Sequence, residues 1–394
     1  MSGSAISVIV GAARTPIGAF LGSLGSLTAP QLGAIAITSA VERSGVSPDG
    51  VDEVFMGSVV QAGVGQAPAR QASLRAGLPR SVPCTTINKV CGSGLKAVML
   101  AASQIAAGEG RVIVAGGMES MSNAPYLLRG LRRGLPIGEH TMEDANQVDG
   151  LVDAYGGGHM GLGGEKAAAK TQLSREDQDR FALGSYQKAL AAQQSGAFDA
   201  EIVPVEVTGR AGVVTRVAKD ETPRETSLSA LAALRPVFKI DGTVTAGNAS
   251  KLSDGAAAVV VASAQRAEEL SLSPLARIVA QAQFAHEPEL FLLAPAGAIA
   301  RCIEKAGWAM GDVDLFEVNE AFSGIEAVRR ELGIAEERFN VNGGAVALGH
   351  PIGASGARLL VTLLYALRAR GKARGVVSLC LGGGEAVALA VEAL

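Results

Sequence analysis

The chain has 394 residues, of which 48% are hydrophobic and 4% aromatic, and its formal net charge is −3. This is ample for a buried core and too long for one ordinary domain, and no basic block points to nucleic-acid binding. The four cysteines stand at irregular spacing, which excludes both a disulfide framework and a CxxC metal pair.

No segment has the composition expected for export or membrane insertion. The first eleven residues lack the charged and apolar parts of a secretory signal. Residues such as Lys96 and Arg358 interrupt the longest apolar runs before these reach about 18 residues. We therefore expect a cytoplasmic protein in a reducing compartment, with no membrane partner.

Short β-branched runs alternate with Ala- and Leu-rich stretches along the chain, which predicts a layered α/β fold. The predicted strands are residues 7–10, 53–56, 111–115, 315–318, 376–380 and 386–391. The predicted helices are residues 32–44, 95–107, 296–306 and 357–370, with a more polar one at 175–194.

A repeated order of landmarks predicts an internal duplication. Ser93-Gly94 starts a helix that leads through a strand to Gly116-Gly117, and Ser355-Gly356 starts another that leads to Gly382-Gly383. We predict one α/β half at residues 1–120 with 246–270, and a second at residues 271–394. Residues 121–245, richer in charge and loops, are predicted to be an insertion that carries binding function.

Cys91 follows a strand-like run and precedes the helix that starts at Ser93. At a helix N-terminus the dipole and unpaired N–H groups favour the thiolate, which makes Cys91 a candidate nucleophile. The glycines beside it would let a reacting carbonyl approach the backbone. A small buried core cysteine is the simpler alternative.

His350 lies in the glycine-rich segment 342–356, just before a helix, where it is placed to act as a base toward a thiol. A histidine in an ordinary loop is the alternative, and a phosphate loop is a poor fit because the GK[ST] pattern is absent. Cys380 ends a strand that opens into Leu381 and three glycines, where an α/β sheet presents a site. Asn319 also follows a strand and could project into the same cleft, although capping of the next helix is the commoner explanation for such an Asn.

Together, these segments resemble the motif set of the thiolase family. The resemblance covers essentially the whole chain and includes Arg14–Gly18, Val114–Ser122 and Thr245–Ser250. It implies a thiolase fold, in which two duplicated α/β halves form an α-β-α-β-α core with an inserted loop domain that binds coenzyme A (CoA). It also implies a homo-oligomer, either dimer or tetramer, that uses acyl-CoA substrates and needs neither a metal nor a separate cofactor.

The resemblance assigns the catalytic roles as well. Cys91 would be the nucleophile, His350 the base that takes its proton, and Cys380 the acid/base for the second substrate. One oxyanion hole would be formed by His350 and a water held by Asn319. The other would be formed by the backbone N–H groups of Cys91 and Gly382. The reaction implied is the reversible condensation of two acetyl-CoA molecules to acetoacetyl-CoA and CoA.

The same resemblance implies a set of substrate contacts. These are Ser250 for pantetheine, Arg224 for adenine, Met160 for the acyl pocket, and His159, Phe238 and Phe322 around them. The chain departs from the family at Lys251 and Ser253, at 291–295 and at 162–164. The glycines at 163 and 164 would open the acyl pocket, so a broad-chain 3-ketoacyl-CoA thiolase of fatty-acid degradation is the alternative.

Two further alternatives follow from the residues. A decarboxylating ketoacyl synthase on this fold pairs its cysteine with two histidines, whereas this chain has Asn319 in the second position and an additional base in Cys380. A non-enzymatic acyl-CoA or lipid-binding protein would be expected to lack a catalytic residue, and none is missing.

Overall fold

A computed structural model of the protein describes residues 5–156, 158–209 and 212–394. The strands are β1 (Ser7–Arg14), β2 (Gly18–Ala19), β3 (Glu53–Gly57), β4 (Cys84–Ile87), β5 (Val112–Ser120), β6 (Tyr126–Leu127), β7 (Glu143–Asp144), β8 (Val152–Asp153), β9 (Gly158–His159), β10 (Val205–Thr208), β11 (Val214–Val217), β12 (Ser253–Ser263), β13 (Ala276–Ala285), β14 (Leu315–Val318), β15 (Arg374–Leu381) and β16 (Glu385–Ala393). The helices are α1 (Ala29–Ser44), α2 (Pro68–Arg75), α3 (Ser93–Ala107), α4 (Met160–Thr171), α5 (Arg175–Gln194), α6 (Leu228–Ala232), α7 (Ala264–Glu269), α8 (Ala294–Ala306), α9 (Glu326–Glu331), α10 (Ala345–Leu348) and α11 (Ile352–Ala369).

The order of strands repeats between the two ends of the chain. In the first half the neighbours run β1–β12–β5–β3–β4, and in the second half they run β13–β16–β15–β14. In both halves the first two pairings are antiparallel and the third is parallel. The halves join edge to edge where Val8 and Ile9 of β1 pair with Arg277 and Ala276 of β13. The predicted duplication is therefore confirmed.

Two apolar helices form the central layer of the molecule. Helices α3 and α11 pack on each other and on strands of both halves, while α1 packs on the outer side of the first half and α8 on that of the second. Leu95 on α3 and Leu359, Leu360 and Leu363 on α11 are fully buried in the shared core. By length and composition alone the α3 and α11 segments could cross a membrane, but burial between the two halves explains their apolar surfaces equally well. The layers confirm the predicted α-β-α-β-α arrangement.

The element bounds differ from the prediction chiefly at glycines. Strand β5 was predicted to end at residue 115, but it continues through Gly116 and Gly117 to residue 120. A Cβ on Gly116 would lie 2.2 Å from the Ala257 carbonyl oxygen, and one on Gly117 would lie 2.0 Å from that of Gly353. These glycines permit close backbone packing and do not end the strand.

A buried ion cluster attaches the insertion to the first half. Arg14, at the end of β1, donates to Glu201 (2.6 Å) and Asp220 (2.7 Å), and all three side chains are inaccessible to solvent. Arg14 therefore anchors the insertion to the core. After the insertion, β12 returns between β1 and β5.

Candidate active site

The turn before α3 holds Cys91 in a strained conformation. Val90 has a φ of +45°, which costs a β-branched residue about 1–2 kcal/mol. The Ser93 hydroxyl donates to the Val90 carbonyl (2.6 Å) and accepts from the Lys89 N–H (2.9 Å). Ser93 therefore keeps this turn in place, and the turn directs Cys91 inward at the junction of β4 and α3.

Cys91 is 9% exposed, and burial controls its protonation. Burial raises the pKa of the thiol to about 12, although the N–H groups of Cys91 itself and of Gly382 act in the opposite direction. The expectation that the helix start favours the thiolate was therefore wrong in its net direction. A neutral thiol in this position needs a base. The contact with Gly382 brings the first half's cysteine to the glycines after β15.

His350 is held in one tautomer by its neighbours. The Ser355 hydroxyl donates its proton to the Pro351 carbonyl oxygen (2.9 Å), so at 2.6 Å it accepts from His350 Nδ1–H. His350 Nε2 is buried and has no partner among the described residues. Burial, and secondarily the charge of Arg358, lowers the pKa of His350 to about 3. The imidazole is therefore neutral, with the Nε2 lone pair able to accept a proton.

Glycines bring the two helix starts into contact. A Cβ on Gly94 would lie 2.9 Å from the Ala357 nitrogen and 3.0 Å from the Gly353 oxygen. A Cβ on Gly356 would lie 2.5 Å from the Leu95 nitrogen. The repeated Ser-Gly pairs thus mark a reciprocal contact between α3 and α11. This contact brings the segment that carries Cys91 against the segment that begins just after His350.

Asn319 and Cys380 come from neighbouring parallel strands. The Asn319 N–H donates to the Ser378 carbonyl oxygen (3.0 Å), which places it beside β15. Asn319 is fully buried, and neither atom of its amide has a partner among the described residues. Such an amide is not a helix cap and is available to hold a water or a ligand. Burial, followed by the charge of the nearby Cys91, raises the pKa of Cys380 well above its usual value.

A buried carboxylate in this region was not singled out from the sequence. Glu119 accepts from the N–H groups of Val59 (2.9 Å), Val60 (3.2 Å) and Gly353 (2.8 Å). Burial raises its pKa to about 7, and its charge disfavours the Cys91 thiolate. Glu119 ties the loop after β3 to the first turn of α11. The only sequence signal was an acidic residue in an apolar strand.

The predicted CoA contacts surround a cleft beside this centre. Ser250 and Phe238 line a cavity of about 510 Å³. Phe238 stacks on His159 with ring centroids 4.5 Å apart and meets Phe322 edge-on at 6.1 Å. Arg224 lies over the ring of Tyr186 at 5.7 Å. The structure thus gathers these residues, whose roles in substrate binding stay predictions.

The predicted acyl pocket is filled by aromatic rings. The Met160 methyl carbon lies 3.8 Å from the position of a Cβ on Gly382. A Cβ on Gly163 would lie 2.6 Å from the Phe291 ring, and one on Gly164 would lie 3.3 Å from that of Phe322. The cavity lined by His159, Met160, Gly163 and Phe291 holds only about 10 Å³, roughly the space of one water. The glycines therefore accommodate rings and leave little open space.

The sequence matches the model of the thiolase N-terminal domain over residues 7–265 and that of the thiolase C-terminal domain over residues 272–393. The chain belongs to the thiolase family. The thiolase relatives include an acetyl-CoA acetyltransferase of Cupriavidus necator, 52% identical over 387 residues and 98% of each chain. Another, from Chromobacterium violaceum, is 51% identical over 98% of each chain.

Solved thiolase structures superpose closely on this chain. The Bacillus anthracis acetyl-CoA acetyltransferase has a TM-score of 0.98 at 42% identity, with all of both chains covered. The human mitochondrial 3-ketoacyl-CoA thiolase has a TM-score of 0.96 at 41% identity, with 99% of each chain covered. The predicted thiolase fold is confirmed, while the domain boundaries given above stay predictions.

The lock on the His350 tautomer makes a testable prediction for this thiolase. We expect Ser355→Ala to lower kcat about 10–100-fold, because removal of an outer partner frees the imidazole to rotate or change tautomer. Steady-state cleavage kinetics would measure this. Ser44→Ala is the control, since it removes another buried hydroxyl, which bonds the Val41 carbonyl oxygen (2.7 Å). Equal losses in both variants would contradict a specific role for Ser355.

Proposed function

We propose that the protein is an acetyl-CoA C-acetyltransferase, which reversibly condenses two acetyl-CoA molecules to acetoacetyl-CoA and CoA. The observation that carries the proposal is the Cys91 sulfur, held by the N–H groups of Cys91 and Gly382 and close to the second thiol, Cys380. The relatives described above are named acetyl-CoA acetyltransferases, which supports the same activity.

In the first half-reaction, His350 Nε2 takes the Cys91 proton as the sulfur attacks the thioester carbonyl carbon. The carbon–sulfur bond to CoA then breaks, and the CoA thiolate leaves as a thiol with the proton from His350. The two steps of this acyl transfer are each easier than a direct reaction. The negative oxygen formed in between lies on the carbon bonded to Cys91 and would be stabilised by the N–H groups of Cys91 and Gly382.

In the second half-reaction, Cys380 first gives its proton to His350 Nε2, and its thiolate then removes a proton from the methyl group of the second acetyl-CoA. His350 Nε2–H and a water held on Asn319 would stabilise the negative charge on that thioester oxygen. The carbanion attacks the acetyl carbon on Cys91, and the Cys91 thiolate leaves and takes the proton back from His350. Since burial raises the pKa of Cys380, its thiolate is a strong base once formed. The N–H groups of Cys91 and Gly382 would stabilise the oxyanion on the acetyl group. In the direction of cleavage the same steps run backwards.

The substrate range proposed is short, with acetoacetyl-CoA the best substrate for cleavage. Phe291 and Phe322 occupy the space beside Gly163 and Gly164 that a longer acyl chain would need. Each methylene forced into a filled site costs about 1–3 kcal/mol. A CoA-dependent cleavage assay across 3-ketoacyl-CoA chain lengths from C4 upward tests this. Comparable kcat/KM for C4 and C8 would support the broad-chain alternative instead.

Met160 lines the same small cavity as Phe291 and should contribute to this limit. We expect Met160→Ala to narrow the difference in kcat/KM between C4 and C8 substrates by about tenfold, because the strain of about one methylene is relieved. Met310→Ala is the control, as a methionine that lines neither cavity described above. An unchanged C4-to-C8 ratio in Met160→Ala would show that other side chains limit the chain length.

The proposal includes a cytoplasmic homo-oligomer that uses CoA thioesters as substrates and needs no further cofactor. All four cysteines are free thiols, which suits a reducing compartment. Exposed apolar side chains on the insertion support a subunit interface, among them Tyr126 (66%), Leu131 (58%) and Ile137. Sedimentation of the purified protein tests whether it is a homo-oligomer. Assays after treatment with a chelator test whether the reaction proceeds without a metal.

A further inference from the structure

Lys251 makes contacts in the CoA cleft that the mechanism above does not use. Its ammonium donates to the Tyr186 hydroxyl (2.6 Å) and to the Val346 carbonyl oxygen, and it lies 4.8 Å from the centre of the Tyr186 ring. The residue lines the same cavity as Ser250. A charged side chain with this set of partners restricts their relative positions.

Both ends of Lys251 contact the segment that leads to His350. The Lys251 carbonyl oxygen accepts from the His350 N–H (3.0 Å) and from the Ser253 hydroxyl (2.9 Å). The Ser253 hydroxyl in turn accepts from the His350 N–H (3.2 Å). The ammonium holds the Val346 carbonyl, four residues before His350 and within α10. Lys251 therefore spans this segment from α10 to the catalytic histidine.

The opposite side of α10 is held by a buried carboxylate. Glu320 accepts from the Val346 N–H (3.2 Å) and from the Ser185 hydroxyl (2.6 Å). The peptide groups of Val346 are thus fixed on one side by a cation and on the other by an anion. Loss of the cation would leave the Val346 carbonyl without its charged donor, and α10 would lose one of the contacts that fix its position.

We propose that the protonated Lys251 is a positioning residue that fixes His350 for proton transfer and links it to the occupied CoA cleft. The link to CoA rests on the proposed function, whereas the control of His350 does not. The charged and titratable groups that face the ammonium are Tyr186 on α5, Arg224 on the insertion and Glu320 after β14. An anionic CoA thioester in the cleft would favour the protonated form.

The proposal makes activity sensitive to alkaline pH. Burial, and then the charge of Arg224, lowers the pKa of Lys251 to about 8, while Glu320 acts in the opposite direction. The ammonium is present below this pH and is lost as the pH rises through it. We therefore expect kcat/KM, which reports the free enzyme, to fall on the alkaline side near pH 8 in the wild type, and kcat to fall at a higher pH.

Three variants test the inference through kcat, KM and the rate of Cys91 alkylation by iodoacetamide, each measured from pH 6 to 10. We expect Lys251→Met to lower kcat about 10–100-fold at pH 7 and to lose the alkaline fall near pH 8. Lys251→Arg keeps the charge, so we expect it to retain more activity and to shift the alkaline fall upward. Lys170→Met, an exposed lysine on α4, should match the wild type.

Each outcome bears on the proposal. An unchanged kcat and pH profile in Lys251→Met would overturn it. If Lys251→Met does not fold, the Lys251→Arg profile decides, and an alkaline fall at the wild-type position would overturn the proposal. Alkylation needs no CoA substrate and should slow about tenfold in folded Lys251→Met. A wild type that fails to cleave acetoacetyl-CoA would refute the proposed function. The pH profile of Cys91 alkylation would still test whether Lys251 positions His350.

Discussion

Replacement of Cys91 by serine is expected to leave the fold intact and to abolish the acetyl-enzyme. Serine has nearly the same size, but its hydroxyl is a far weaker nucleophile in a site that burial already makes unfavourable for charge. Loss of a nucleophile in a comparable covalent mechanism lowers kcat by about 10⁶-fold. Intact mass measurement after incubation with acetyl-CoA should show one added acetyl group on the wild type and none on the variant.

Cys84→Ser is the matched control for that experiment. Cys84 is a partly buried thiol on β4, and its sulfur contacts the Val82 carbonyl oxygen. It should still be acetylated once, on Cys91. An acetyl group that persists on Cys91→Ser would show that another residue is the nucleophile.

Cys380→Ala should separate the two half-reactions. Acetylation of Cys91 does not require removal of a proton from carbon, so we expect it to proceed. Condensation and acetoacetyl-CoA cleavage should both fall by about 10²–10⁴-fold, the usual effect of losing a positioned acid/base group. Acetylation followed by mass measurement, and steady-state kinetics, give the two rates separately.

Cys302→Ala supplies the control for this second variant. Cys302 is fully buried on α8, where burial raises its pKa to about 12 and its thiol donates to the Ala280 carbonyl oxygen of β13 (3.5 Å). We expect both of its rates to stay near those of the wild type. If Cys380→Ala lost acetylation and condensation equally, Cys380 would serve the first step or the fold, and not the carbon acid alone.

The sequence was sufficient to choose the main catalytic candidates because each one ends or begins an element. Cys91 precedes α3, Asn319 follows β14, Cys380 lies near the end of β15, and His350 precedes α11. Element ends at the same edge of a layered fold converge, so the residues could be grouped before their positions were known. The duplication was readable for the same reason, since its landmarks also stand at element ends.

The remaining parts of the site depend on contacts between distant segments. Glu119 acts through Gly353, which only the packing of α11 brings near, and the contact of Phe291 with Gly163 joins segments on either side of β12. The predicted direction of the Cys91 pKa shift was wrong for a related reason. A helix start is visible in a sequence, whereas the burial that outweighs it is a property of the folded chain.

The glycine contact between α3 and α11 has a consequence for how such an enzyme can change. Gly94 and Gly356 leave no side chain between the backbones, so a point substitution cannot adjust the distance between these helices without a clash. Met160 lies on α4, outside that contact, and Phe291 lies in the turn before α8. Substitutions in those two segments could therefore change the acyl specificity while the catalytic residues and their reaction stay the same.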